Sequence, residues 1–360
     1  MTQKLAGLLA AFYLLTAAVA AAQTAPQGTM AKPRVAILTT GGTIAGQADP
    51  RSVLGYNAGK LGAQQLIAAA PGIESLAELS SEKVASIGSQ NMTDEVLLAL
   101  ARRISEIFSR DEADGVVVTH GTDSMEETAL FLDLVLPHDR PVVLVGSMRP
   151  STALSADGPS NLYSAVQVAT SPSARGRGVL VVLNNEIHGP RGVQKISTST
   201  LNAFGSPSSG PVGHVDPANV RFVASVAPSS GRPYALPPSA QLPRVDIVYG
   251  YAQGDDFAVT AAVEKGARGI VLAGMGDGNA PAAVIEALRK AAARGLVVVR
   301  STRVGSGFVE RNVENDDDAL GFVASLDLNP QKARVLTRLL IANGITTPAQ
   351  VQKAFAAGVR

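Results

Sequence analysis

Two spacings of apolar residues alternate along this chain. Short runs of aliphatic and β-branched residues lie between longer segments whose apolar residues return every third or fourth place. The runs predict strands buried on both faces, and the longer segments predict amphipathic helices. Strands are expected at residues 35–40, 84–89, 115–119, 141–145 and 178–183, with helices at 126–136 and 161–169. A further helix is expected after Thr93, a good cap, because Val96, Leu97, Leu100, Ile104, Ile107 and Phe108 share one helical face. Arg102, Arg103 and Glu106 occupy the other face. Beyond residue 243 the alternation resumes, with strands at 245–249, 269–273 and 296–300 and helices at 259–265, 282–293 and 330–342. Thr347 and Pro348 open a closing helix, proline being favoured at the first helical position.

Such alternation predicts an α/β protein with a doubly wound, mostly parallel sheet. The pattern breaks between residues 205 and 243, where Pro207, Pro211, Pro228, Pro233, Pro237, Pro238 and Pro243 discourage long regular elements. The expected division is a large N-terminal catalytic domain over 33–204, a linker with a hairpin near 212–226, and a smaller α/β C-terminal domain over 244–360. Two domains also suit a chain of 360 residues.

Composition narrows the function. A hydrophobic content of 46% with a net charge of +1 describes a globular protein without the field that would draw nucleic acid or an anionic membrane surface. Cysteine is absent, which removes disulfides, thiolate metal sites and cysteine nucleophiles and leaves the redox compartment open. His120, His138, His188 and His214 are scattered without metal-ligand spacing. Residues 1–22 have a basic start, an apolar stretch and a small-residue end before Gln23, the layout of a cleaved secretory signal peptide. The expected location is therefore the periplasm or the medium.

Candidate chemistry gathers where strands are expected to end. Val116-Val117-Val118-Thr119 runs into His120-Gly121-Thr122-Asp123-Ser124 and then the acidic turn Met125-Glu126-Glu127-Thr128, so Thr122 and Asp123 fall at a strand tip beside a helix N-terminus. Upstream, Val35-Ala36-Ile37-Leu38-Thr39-Thr40 runs into Gly41-Gly42-Thr43, where the glycine pair permits a turn that exposes the Thr43 hydroxyl. Alone, Thr43 reads better as a turn residue satisfying backbone groups than as a nucleophile. As a nucleophile it would need a neighbour to take its proton, and residues 47–60, polar and glycine-rich like a lid, carry Tyr56. Ser89 and Gln90 add a polar pair after another strand. Lys195 could complete a threonine–lysine–aspartate relay with Thr122 and Asp123, since a buried lysine can accept a proton from a hydroxyl, or it could be a solvated loop lysine. His120 follows a buried strand, where a packed, hydrogen-bonded histidine is the commoner case. Gly41-Gly42 lacks the phosphate-loop and dinucleotide patterns, and the segment Gly274-Met275-Gly276-Asp277-Gly278 reads as a loop.

Thr40-Gly41-Gly42-Thr43-Ile44-Ala45-Gly46, His120-Gly121-Thr122-Asp123-Ser124-Met125-Glu126-Glu127-Thr128 and Gly146-Ser147-Met148-Arg149-Pro150 resemble the signature segments of bacterial type II L-asparaginases and glutaminase-asparaginases. The likeness continues through Gly88-Ser89-Gln90, Ser155-Ala156-Asp157-Gly158-Pro159 and Asn329-Pro330-Gln331-Lys332-Ala333-Arg334, so it covers residues 33–360. It implies hydrolysis of L-asparagine to L-aspartate and ammonia through an acyl-enzyme. On the matching positions it implies Thr43 as nucleophile with Tyr56 as its lid partner, and Thr122, Asp123 and Lys195 as a second triad. Ser89, Gln90 and Asp123 would hold the α-carboxylate and α-ammonium, and Glu314 would serve a neighbouring subunit's site in a homotetramer. No cofactor or metal is implied. The partner is a small-molecule substrate, with no nucleic acid and no membrane after signal cleavage.

Gln253 stands where many asparaginases carry Asn, and the disulfide of some members is impossible here. Gln90 leans toward asparagine, since glutaminase-rich members often carry Glu there. Two other readings remain: an enzyme whose main substrate is L-glutamine, and a periplasmic amino-acid-binding protein, which ammonia release would separate from an amidase. The mature chain is expected to begin near Gln23; mass spectrometry of the protein from its native host checks this, and retention of residues 1–22 overturns it.

Overall fold

The computed structural model describes residues 31–48, 56–57, 59–137, 139–224, 234–238 and 241–359. The expected signal peptide, most of the expected lid and His138 lie outside these residues. Residues Pro33–Arg360 form one compact unit.

In chain order the first strands are β1 (Arg34–Gly41), β2 (Gln47–Ala48), β3 (Tyr56–Asn57), β4 (Glu78–Ile87), β5 (Gly115–Thr119) and β6 (Val142–Val145). They continue as β7 (Val179–Leu183), β8 (Glu186–His188), β9 (Gln194–Lys195), β10 (Phe204–Gly205), β11 (Gly213–Asp216) and β12 (Asn219–Phe222). The later strands are β13 (Val245–Tyr249), β14 (Gly269–Gly274), β15 (Val297–Thr302) and β16 (Phe322–Ala324). The helices are α1 (Ala63–Ala68), α2 (Asp94–Ser109), α3 (Met125–Val135), α4 (Gly158–Thr170), α5 (Phe257–Glu264), α6 (Ala282–Ala293), α7 (Asp317–Leu320), α8 (Pro330–Ala342) and α9 (Pro348–Ala356).

The architecture is mixed α/β. The large sheet runs β12-β11-β8-β7-β6-β5-β1-β4, and a separate sheet runs β13-β14-β15-β16. Strands β4, β1, β5, β6 and β7 are mutually parallel, as is the whole smaller sheet. The antiparallel edge begins at β8, which β7 reaches through Asn184 and Asn185 at φ 50° and 66°, a two-residue turn whose twist suits the strands. The hairpin expected near 212–226 is β11–β12, and it extends this edge.

Burial follows the strand period. Leu38, Val118 and Leu144 face one side of the large sheet, whereas Ile37, Val117 and Val143 face the other. The first set shares one continuous core with Val271, Val299, Leu336 and Leu340, so α8 seals the large sheet's helical layer against the smaller sheet. Thr93 caps α2 through a bond from Val96 N at 3.3 Å, as expected.

Some expectations shift. The strand expected at 84–89 is Glu78–Ile87; it forms the sheet edge, alternates in exposure and is polar over its first half, so its apolar run marks only the end. Strand β16 and helices α1 and α7 are too short to leave a periodic signal. Among the described residues, no helix is long and apolar enough to cross a membrane.

One buried ion pair organises the C-terminal half. Arg300 of β15 donates to Asp317 of α7 at 2.6 and 2.7 Å with both side chains fully buried, and its remaining N–H groups reach Asp277 O and Glu310 O at 2.8 and 3.0 Å. Removing one partner leaves an uncompensated buried charge. Asp317→Ala is therefore expected to cost roughly 3–5 kcal/mol, read as a lower denaturation midpoint; an unchanged midpoint overturns this role.

Candidate active site

The site lies where β4, β1 and β5 end side by side, at the carboxyl edge of the parallel strands. Glycine makes this convergence possible. Gly41 and Gly42 sit at φ 111° and 79°, and a Cβ on them would fall 2.3 Å from Ile87 O and 2.4 Å from Gly121 Cα. Only glycine fits such a turn at such a distance. The chain then enters a single 3-10 turn, Thr43–Ala45, so Thr43 opens that turn, 5% exposed, beside the segment that carries Thr122.

Ser89 opens a second 3-10 turn just past β4 and is buried. Its Oγ accepts from Asp123 N at 3.1 Å and its carbonyl accepts from Ser124 Oγ at 2.7 Å, which ties the β4 tip to the turn before α3. Gln90 is exposed, and its amide folds over Gly88, where a Cβ would lie 2.5 Å from Oε1.

Lys195 reaches the same place from β9. Its Nζ donates to Thr122 Oγ1 at 2.9 Å and to Asp123 Oδ1 at 2.6 Å. Thr122 is buried, and the Lys195 side chain retains 21% of its exposure. The arrangement joins a hydroxyl, an ammonium and a carboxylate by hydrogen bonds, groups of a kind that can relay a proton. The solvated-loop alternative for Lys195 does not describe it.

His120 points away from this chemistry. Fully buried, it bonds Gly121 O through Nδ1 at 2.7 Å and Thr128 Oγ1 through Nε2 at 3.0 Å, and burial lowers its pKa to about 4. His188 is also buried, with Nδ1 3.0 Å from Ser206 Oγ, and burial lowers its pKa too. Among the described residues no cluster of His, Asp and Glu could hold a metal ion.

Two expected contributors are not bonded to this cluster among the described atoms. Tyr56 belongs to β3, whose backbone pairs with Ala48; its side chain lies outside the described atoms. Glu314 is exposed on the loop before α7, and its Oε2 accepts from Asn279 Nδ2 at 3.0 Å; among the described residues it does not join the Lys195 cluster. Gln253 is exposed at φ 66°.

The sequence reading gave no role to Glu126, Asn329, Gln331 and Lys332. Glu126 is buried in the first turn of α3; its Oε2 accepts from Lys195 N at 2.9 Å, and its Oε1 accepts from Asn329 Nδ2 at 3.2 Å and from Gln331 Nε2. Lys332 is fully buried and donates to Val193 O at 2.9 Å and to Arg191 O. These residues lie inside the quoted motifs, but only the packing of α8 on α3 brings them together.

Comparison with known proteins places the chain. The model of the asparaginase N-terminal domain matches residues 34–227, and that of the glutaminase/asparaginase C-terminal domain matches residues 244–355. L-asparaginase 2 of Escherichia coli (strain K12) is 43% identical over 96% of this chain and 99% of that protein. A Haemophilus influenzae protein named as a probable periplasmic L-asparaginase is 45% identical over 90% of this chain and 92% of its own. The crystal structure of a protein named as a probable cytoplasmic L-asparaginase from Campylobacter jejuni superposes with a TM-score of 0.83 at 43% identity, covering 90% of this chain and 99% of that one. Two domains that match in order, joined in one compact fold, define an amidohydrolase. The chain belongs to the asparaginase family.

His120 gives a pH test. Its pKa falls from 6.5 to about 4 on folding, so the unfolded chain binds the proton first as pH drops. The stability it contributes is complete above pH ~6.5 and declines as pH falls toward ~4, by at most roughly 3 kcal/mol. His120→Gln is expected to flatten this part of the stability–pH curve measured by denaturant unfolding; an unchanged slope overturns the assignment.

Proposed function

We propose that the protein hydrolyses the side-chain amide of L-asparagine to L-aspartate and ammonia through an acyl-enzyme on Thr43, with some L-glutaminase activity. The observation that carries this reading is the Lys195 ammonium held 2.9 Å from Thr122 Oγ1 and 2.6 Å from Asp123 Oδ1, at the strand edge where Thr43 also ends. In the first half-reaction Thr43 Oγ attacks the amide carbon, the C–N bond breaks, and the Thr43 proton leaves with ammonia after passing through Tyr56. In the second, water attacks the ester carbon and gives a proton to Thr122; the Lys195 ammonium hands a proton to the Asp123 carboxylate as it takes one from Thr122, and the relay returns that proton to Thr43 Oγ as the Oγ–C bond breaks. Backbone N–H groups donating at a strand tip suit the short-lived oxyanion.

Ser89, Gln90 and Asp123 hold the amino-acid head in this reading. Glu314 serves a second subunit, so the working form is a homotetramer. The layout of residues 1–22 supports export to the periplasm, in keeping with the name of the Haemophilus relative. The C-terminal family model is named for glutaminases as well. L-glutamine as main substrate is therefore the second reading, and steady-state kinetics on both amides separates the two.

Thr43→Ala is expected to lower kcat by roughly a thousandfold or more with KM changed by no more than about threefold, because the head-group contacts remain. Thr122→Ala should be of similar severity, and the double variant little worse than either. The deciding readout is the site labelled by a reactive asparagine analogue, mapped by peptide mass spectrometry. A label confined to Thr122, with Thr43→Ala turning over at the wild-type rate, overturns the assignment.

A further inference from the structure

The lysine of the relay stands on a strand with an unusual edge. Backbone groups along a strand point alternately to its two sides. On one side of β9, Ile196 N donates to Ala203 O at 2.7 Å, completing the pairing with β10. The other side presents Val193 O and Lys195 N, and among the described residues no strand meets it; instead Lys332 Nζ donates to Val193 O at 2.9 Å, and the Glu126 carboxylate accepts from Lys195 N at 2.9 Å. An ammonium and a carboxylate thus take the place of a neighbouring strand.

Stability alone does not account for this choice. Lys332 is fully buried, and it occupies the third position of α8, the positive end of a helix, where a cation is disfavoured. Burying an ammonium is costly even when carbonyls surround it, and burial lowers this group's pKa to about 8. The same helix end supplies Asn329, whose Oδ1 caps Lys332 N at 3.1 Å while its Nδ2 reaches Glu126 Oε1 at 3.2 Å. One side chain thus joins the backbone of Lys332 to the Glu126 carboxylate.

We infer that Glu126 and Lys332 are positioning residues that fix the Lys195 ammonium between Thr122 and Asp123, so that the N-terminus of α8 sets the geometry of the relay. The inference rests on the relay proposed above. Neither residue touches the substrate; both act through the backbone of β9.

The test compares Lys332→Met, Glu126→Ala and Glu126→Gln with Leu288→Ala, a core truncation on α6 away from the clamp. Lys332→Met and Glu126→Ala are expected to lower kcat on L-asparagine by about tenfold or more, with KM held within about threefold and the pH dependence of kcat displaced. Glu126→Gln should keep most of kcat, because its amide oxygen still accepts from Lys195 N and the Gln331 amide can turn to accept from its NH2. Leu288→Ala should lower the melting temperature while leaving kcat and the pH profile unchanged. Folded Lys332→Met and Glu126→Ala with wild-type kcat overturn the inference, as does a Leu288→Ala loss of kcat equal to theirs at matched melting temperature. If Lys332→Met does not fold, the two Glu126 variants decide. Wild-type protein that hydrolyses neither amide would refute the proposed function alone; crystal structures of the clamp variants then decide this inference. Lys195 Nζ still within hydrogen-bond distance of Thr122 Oγ1 and Asp123 Oδ1 in those structures overturns it.

Discussion

The close approach of two backbone turns, Gly42 against Gly121, is the constraint on which the site depends. With a Cβ at Gly42 placed 2.4 Å from Gly121 Cα, any side chain there would push the β1 tip off the β5 tip. Separation by even the width of a methyl group would part Thr43 from the Thr122 turn. The neighbouring Gly146 repeats the constraint, since a Cβ on it would meet His120 O and Met125 Cε at 2.7 Å. Parallel strands bring their ends to one edge, but glycine determines how close those ends come.

A second requirement operates between the halves of the molecule. The core that contains Leu38 and Val118 also contains Val299 and Leu340, so the helical layer between the sheets belongs to both. Polar contacts cross the same seam: Arg338 of α8 holds Asp94 of α2 at 2.6 and 2.9 Å, and Asn329 reaches Glu126. Buried polar groups must be satisfied wherever they lie, and here partners for the first half's site are supplied by the second half. The two sheets therefore act as one framework.

Much of this was legible in the sequence. Strand β13 and helices α6 and α8 lie within the boundaries that periodicity gave, because each has a full apolar face and clear breakers at its ends. The edge strand β4 was half visible, its exposed positions being polar and its apolar run confined to the end nearest the site. Thr43, Thr122 and Asp123 were visible as hydroxyls and a carboxylate delivered by strand tips. Lys195 was legible only as one of two readings, a relay partner or a solvated loop lysine, since 72 residues separate it from Asp123 and no spacing rule joins a loop lysine to a strand end. Glu126 and Lys332 were in plain sight within motifs, yet a buried charge announces itself only once packing shows what it faces.

The link between Asn329 and Glu126 spans 203 residues. Translation adds residues at about 5–20 per second, so roughly 10–40 s separate the synthesis of Glu126 from that of its partners. During that interval the first half can pair its parallel strands, but its lysine-bearing strand has an open edge and its buried carboxylate lacks Asn329 and Gln331. A chain that ends before α8 therefore lacks the bonds from Asn329 and Gln331 to Glu126 and from Lys332 to Val193 O. The hydrogen bonds around Glu126 and the β9 edge are thus completed only by residues of α8, late in the chain.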